Sequence, residues 1–123
     1  MTKMNWPLAA SAVALALLFG CSSMKTPATA DVAVSKAAVD NAAGAGGAEF
    51  APLEMASARE KMTAAQKAMD NKDYKLAAVL ANQAQADAKL AQGKANSAKS
   101  QAAADAMQDS VRVLREELDR ASK

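Results

Sequence analysis

An all-α chain, arranged as a helical hairpin or three-helix unit with a long alanine-rich C-terminal helix, is predicted by three features of the sequence. Alanine, the strongest helix former, dominates, while aromatic residues make up only 3% of the chain. Apolar side chains recur at alternating spacings of three and four, the period of one helical face. No proline follows Pro52, and Gly93 is the only glycine after Gly47, so little interrupts a helix in the second half.

The first twenty residues stand apart. Lys3 and the amino terminus give a weakly positive start, and Leu8 to Phe19 is apolar except for Ser11, the layout of a secretory signal. The run is well short of the roughly 20 apolar residues that span a bilayer, so it predicts export rather than a durable span. Leu18-Phe19-Gly20-Cys21 resembles the bacterial lipobox, with Phe19 where smaller residues are commoner. The resemblance implies cleavage between Gly20 and Cys21, lipid on the Cys21 thiol and acylation of the new amine. Cys21 is the only cysteine, which excludes a disulfide within the chain. Three acyl chains exceed the two-signal threshold for stable anchoring. Ser22 follows the cysteine in place of an aspartate, which by the same resemblance implies an outer-membrane address facing the periplasm.

Residues 21–30 read as the lipidated cysteine and a flexible tether, because Ser-Ser-Met-Lys-Thr-Pro-Ala-Thr-Ala is small and polar with no apolar period. The helical domain is expected over 31–121. Asp31 is a cap candidate for a first helix over about 31–43, carrying Val32, Val34, Ala37, Ala38 and Val39 and ending at the Gly44-Ala45-Gly46-Gly47 run. Gly46 to Pro52 turns the chain, and Pro52 opens a second helix over about 52–69. Met55, Ala58, Met62, Ala65 and Met69 form one stripe along it, the pattern of core packing rather than of a metal site. The polar run Asp70-Asn71-Lys72-Asp73 makes a tight hairpin, with Asp73 as the cap of a third helix over 73–121.

That last helix has two faces. Tyr74, Ala77, Ala81, Ala84, Ala88, Ala91, Ala95, Ala98 and Ala102 make a narrow stripe suited to close helix approach. A second stripe carries Leu76, Val79 and Leu90, then Met107, Val111, Leu114 and Leu118, with Gln83, Gly93, Ser97 and Ser100 interrupting it. Helix two is too short to cover the C-terminal part. Either the helix folds back near Gly93 or the Met107–Leu118 stripe meets another copy or another protein.

The composition argues against catalysis. The chain has no histidine, so the commonest general base and metal ligand is missing, and lipidation would remove the one thiol. Once Lys3 is removed, fourteen Lys and Arg face thirteen Asp and Glu, a balance that calls for no nucleic acid. Glu116, Glu117 and Asp119 beside Arg112, Arg115 and Arg120 fit surface ion pairs, Arg112 with Glu116 and Glu116 with Arg120. Asp87, Asp105 and Asp109 are too scattered for a calcium loop, and Gly44, Gly46 and Gly47 lack the strand and lysine of a phosphate loop. No enzyme activity, metal or cofactor beyond the lipid on Cys21 is expected.

The phrases Ala48-Glu49-Phe50-Ala51-Pro52-Leu53-Glu54, Ala58-Arg59, Lys72-Asp73-Tyr74-Lys75-Leu76-Ala77-Ala78, Leu80-Ala81-Asn82-Gln83-Ala84, Asp87-Ala88-Lys89-Leu90-Ala91 and Leu114-Arg115-Glu116-Glu117-Leu118 together resemble domain of unknown function family 4398, helical bacterial envelope lipoproteins. The resemblance covers about residues 31–121. It implies an envelope address and a helical architecture, and no assigned biochemical role. Some members carry a fused OmpA-like peptidoglycan-binding domain, which this sequence lacks. The Lys72-Asp73-Tyr74 turn also resembles, locally, a tetratricopeptide helix pair. The expected function is a lipid-tethered interaction module that docks a periplasmic or outer-membrane protein, or itself, through Met107, Val111, Leu114 and Leu118. The alternative is an envelope spacer bonded to peptidoglycan through Lys123.

Overall fold

The computed structural model describes residues 24–123, in which four helices follow one another: α1 (Lys25–Gly44), α2 (Gly47–Phe50), α3 (Pro52–Asp70) and α4 (Tyr74–Ala121). The expected all-α class holds, with no strand among the described residues. The signal segment, Gly20 and Cys21 lie outside them. No described helix is long and apolar enough to cross a membrane.

α1 begins six residues before the expected start at Asp31. The stretch read as tether is helical from Lys25 because Pro27 falls in the first turn, where its missing N–H would have had no helical partner. Ala28 then packs inward, and Ala28, Val32, Ser35, Val39 and Ala42 form the buried stripe. Asp31 is therefore interior to the helix and not a cap. Val34, expected among the apolar set, is more than half exposed, and Ser35 takes the inward position. The Ser35 hydroxyl donates to the Asp31 carbonyl at 2.7 Å, so its burial leaves no polar atom unpaired.

The chain reverses through Gly46, whose φ of 91° lies in the left-handed region that favours glycine. One helical turn, α2, stands where an irregular turn was expected. Pro52 opens α3 as anticipated, and Met55, Ala58 and Ala65 are buried with Met62 and Met69 packed beside them. At the far end Lys72 takes a left-handed φ of 61°. This lets the Asp73 N–H reach the Ala68 carbonyl at 2.9 Å and the Lys72 N–H reach that of Met69 at 3.0 Å, closing the last carbonyls of α3.

Asp73 caps α4, as expected: its carboxylate accepts from the Leu76 N–H at 3.2 Å. Replacing it with alanine is expected to destabilise the bundle by about 1 kcal/mol, read as a lower urea midpoint at unchanged slope. A loss below about 0.3 kcal/mol would show the cap to be idle.

α4 runs unbroken for 48 residues, about 72 Å, straight through Gly93. One interior glycine costs about 1 kcal/mol, too little to break a helix anchored by flanking alanines. The fold-back alternative is therefore not adopted. Val32 packs with Ala65 and Ala81, and Val39 and Ala42 pack with Met55, Ala58, Ala88 and Ala91. A step of seven residues along α1 matches a step of seven along α4, so the two run parallel, and α3 packs antiparallel beside both. The core seam of α4 is wholly alanine: Ala77, Ala81, Ala84, Ala88, Ala91 and Ala95 are each 0% exposed. With only methyl groups on the α4 side of these contacts, α1 and α3 approach α4 closely.

Candidate functional site

The alanine stripe marks where the bundle stops. Ala98 is half-buried, Ala102 is exposed, and the same face then carries Asp105, Asp109, Arg112 and Glu116. From Gln101 to Lys123 every residue is exposed, so more than two-fifths of α4 stands clear as an arm about 31 Å long. The polar bonds of its side chains are local, such as Gln101 to Asp105 at 3.0 Å and Arg112 to Asp109 at 3.2 Å.

Met107, Val111, Leu114 and Leu118 lie along this arm, 72%, 46%, 64% and 69% exposed. In the heptad geometry of about 3.5 residues per turn, they occupy the face roughly 150° around the helix from the alanine seam. The apolar side of α4 thus changes over: inward-facing alanine along the bundle, outward-facing Met, Val and Leu along the arm. Leu76, Val79 and Leu90 sit on that same outer face lower down, each about half exposed. Gly93, Ser97, Ser100 and Ala104 fill the intervening positions, all exposed. A Cβ added at Gly93 would meet nothing within 4 Å.

The charged cluster of the arm is a set of surface ion pairs, as expected, with one partner changed. Arg112 reaches Glu116 at 3.4 Å, but Arg120 pairs with Glu117 at 2.8 Å and not with Glu116. The three-residue spacing brings Glu117 and Arg120 over the same helix turn, and Arg112 already holds Glu116. Lys123 is exposed beyond the end of α4.

Three polar contacts across α3 and α4 escaped the sequence reading. Asp87 accepts from Lys61 at 2.5 Å and from Ser57 at 2.8 Å, and Glu54 accepts from Lys94. Residues seven apart on α3 thus meet residues seven apart on α4 in reverse order, which fixes the antiparallel register. No local spacing could have revealed pairs separated by 26 or 40 residues. The Lys61 and Ser57 donors hold the Asp87 carboxyl below its ordinary value of 3.8. The Lys94 ammonium does the same for Glu54.

A carboxylate whose pKa is lowered on folding stabilises the fold above its unfolded pKa and loses that contribution as pH falls through the folded value. Asp87→Asn is therefore expected to flatten the fall in stability below about pH 4, measured by urea midpoints from pH 7 downward. An unchanged acid slope would show that the pair contributes nothing.

A shallow groove between α1 and α3 is lined by Val39 and Met62, with Lys36, Asp40 and Arg59 at its rim. Lys36 there is already paired with Asp40 at 2.9 Å. No group of three or more His, Cys, Asp or Glu among the described residues could hold a metal ion.

No curated protein and no solved structure matches the chain. A family described as "Domain of unknown function (DUF4398)" matches residues 30–107, which takes in nearly all of the bundle and the root of the arm. The resemblance seen in the sequence extended to about residue 121; the match ends at Met107, leaving Val111, Leu114 and Leu118 beyond it. Because the matched stretch covers well over half of the chain, the protein belongs to the DUF4398 family.

Proposed function

We propose that this protein is a lipid-anchored outer-membrane lipoprotein whose periplasm-facing helices act as a protein-interaction module. The observation that carries the reading is the uncovered outer stripe of the arm, four apolar side chains on a stretch of α4 that no other described residue covers. Lipid on Cys21, three residues before Met24, would hold the base of the bundle near the membrane. That base is where α1 begins and the α3–α4 turn lies. The arm, at the opposite end of α4, would then point away from the bilayer and present its stripe on the order of 50–70 Å from it.

Leu114→Asp tests the docking surface. The substitution is expected to abolish cross-linking of the arm to its partner in native membranes while changing bundle stability by less than about 0.5 kcal/mol, since Leu114 supports no core. Undiminished cross-linking would sink the reading. Intact mass of the membrane-extracted protein tests the anchor, the expected species being an acylated chain beginning at Cys21; an unmodified chain retaining Met1 would overturn it.

The spacer reading draws on the exposure of Lys123 at the far end of α4. Release of a Lys123-linked fragment on digestion of purified sacculi would favour it over docking.

A further inference from the structure

The outer face of α4 is one seam. Leu76, Val79 and Leu90 along the bundle and Met107, Val111, Leu114 and Leu118 along the arm all fall on the a and d positions of a single heptad register. Gln83, Ala86, Gly93, Ser97, Ser100, Ala104 and Ala121 occupy the remaining a and d positions, and none of the seam from 76 to 121 is buried. Seven of the large apolar side chains exposed in this protein therefore share one line.

We infer that a second copy of this chain, parallel and in register, covers that seam. The inference rests on the reading of the outer stripe as an interaction surface and names its partner. Burying one Val, Leu or Met side chain completely removes on the order of 100 Å² of apolar surface from water. At the exposures found here, pairing along the whole seam would bury roughly 800 Å² from the large side chains of both copies. The smaller seam residues bring the total to about the 1,000 Å² that a specific interface needs. An arm-only contact, antiparallel or with a short peptide, would bury about 500 Å² from the same residues and leave Leu76, Val79 and Leu90 uncovered.

Four further features favour the parallel pair. The seam lies across the helix from α1 and α3, so the two bundles face outward and do not collide. Val111 at an a position with Leu114 at d is the arrangement that favours two parallel strands. Gly93, Ser97 and Ser100 let the helices close in at mid-length, where large side chains are missing. The register brings Lys94 near Lys89 of the second copy, and the Glu54 carboxylate on Lys94 offsets that repulsion. Parallel pairing also keeps both amino-terminal ends on one side, as two anchors in one membrane require.

The test is cysteine cross-linking of the full chain in its native membranes. Ser100→Cys and Leu114→Cys each place a thiol at a d position, where a parallel pair sets it within disulfide reach of its own equivalent. Glu116→Cys, on the face of the arm that continues the alanine seam, is the control, and the unsubstituted chain with Cys21 sets the background. Mild oxidation is expected to convert Ser100→Cys and Leu114→Cys to a homodimer, with at least about tenfold less from Glu116→Cys. A homodimer from Leu114→Cys but not from Ser100→Cys would overturn the parallel register. Linkage of Leu114→Cys to a different protein, with no homodimer, would overturn self-pairing and leave the docking reading standing. Loss of every cross-link, with a monomeric mass in detergent, would overturn both.

Discussion

Gly47→Ala is expected to destabilise the protein by about 2–3 kcal/mol. A Cβ at this position would lie 2.7 Å from the Ala42 carbonyl oxygen and 2.9 Å from the Met55 sulfur. Neither neighbour can yield cheaply. The carbonyl belongs to the last turns of α1, and Met55 is 1% exposed in the cluster that joins α1, α3 and α4. Relief would require α1 to back away from α3, opening the packing of Val39 and Ala42 against Met55. Gly44→Ala is the control, since a Cβ there meets nothing within 4 Å and should change stability by no more than about 0.5 kcal/mol. Urea unfolding of the two variants decides the matter. Equal midpoints would show that the α1–α2 corner is loosely packed and that Gly47 is not a close approach.

The same corner shows what sequence could and could not convey. The Gly44–Gly47 run signalled the end of a helix correctly, but which glycine adopts the left-handed φ and which one yields to a neighbour depends on packing. Gly46 carries the conformation and Gly47 carries the contact. The inner stripe from Ala77 to Ala95 and the Met55–Met69 stripe were legible because a period of three and four is imposed by the helix itself. The start of α1 was not, since Lys25 to Ala30 has weak helix signals and is held by Ala28 packing inward, a tertiary effect overriding propensity. The ion pairs Lys61–Asp87 and Lys94–Glu54 were hidden for the same reason: their partners meet only once α3 has folded against α4. The uncovered outer stripe was the most legible part of the candidate site. A 48-residue helix cannot be covered along its length by helices of 20 and 19 residues, whatever the details of their packing.

The second large effect follows from the changeover along α4. Ala88→Leu is expected to destabilise the bundle by about 3 kcal/mol, whereas Ala102→Leu, two heptads further along the same stripe, should fall within about 0.5 kcal/mol of the parent. Ala88 is 0% exposed and packs in the cluster containing Val39, Ala42, Met55 and Ala58, so three added carbons have no space without parting both neighbouring helices from α4. Alanine at every buried position of α4 leaves no larger side chain on that helix that could shrink in compensation. Ala102 has the same heptad position and the same flanking alanine-rich helix, yet it stands beyond the ends of α1 and α3 in solvent. Helix propensity is nearly equal for the two substitutions, so the difference between them isolates tertiary packing. A substantial loss at Ala102 would mean that something covers the stripe side of the arm, and the boundary between bundle and arm would have to move toward the C-terminus. A negligible loss at Ala88 would mean that the alanine seam is not close-packed, and the parallel placement of α1 on α4 would fail with it.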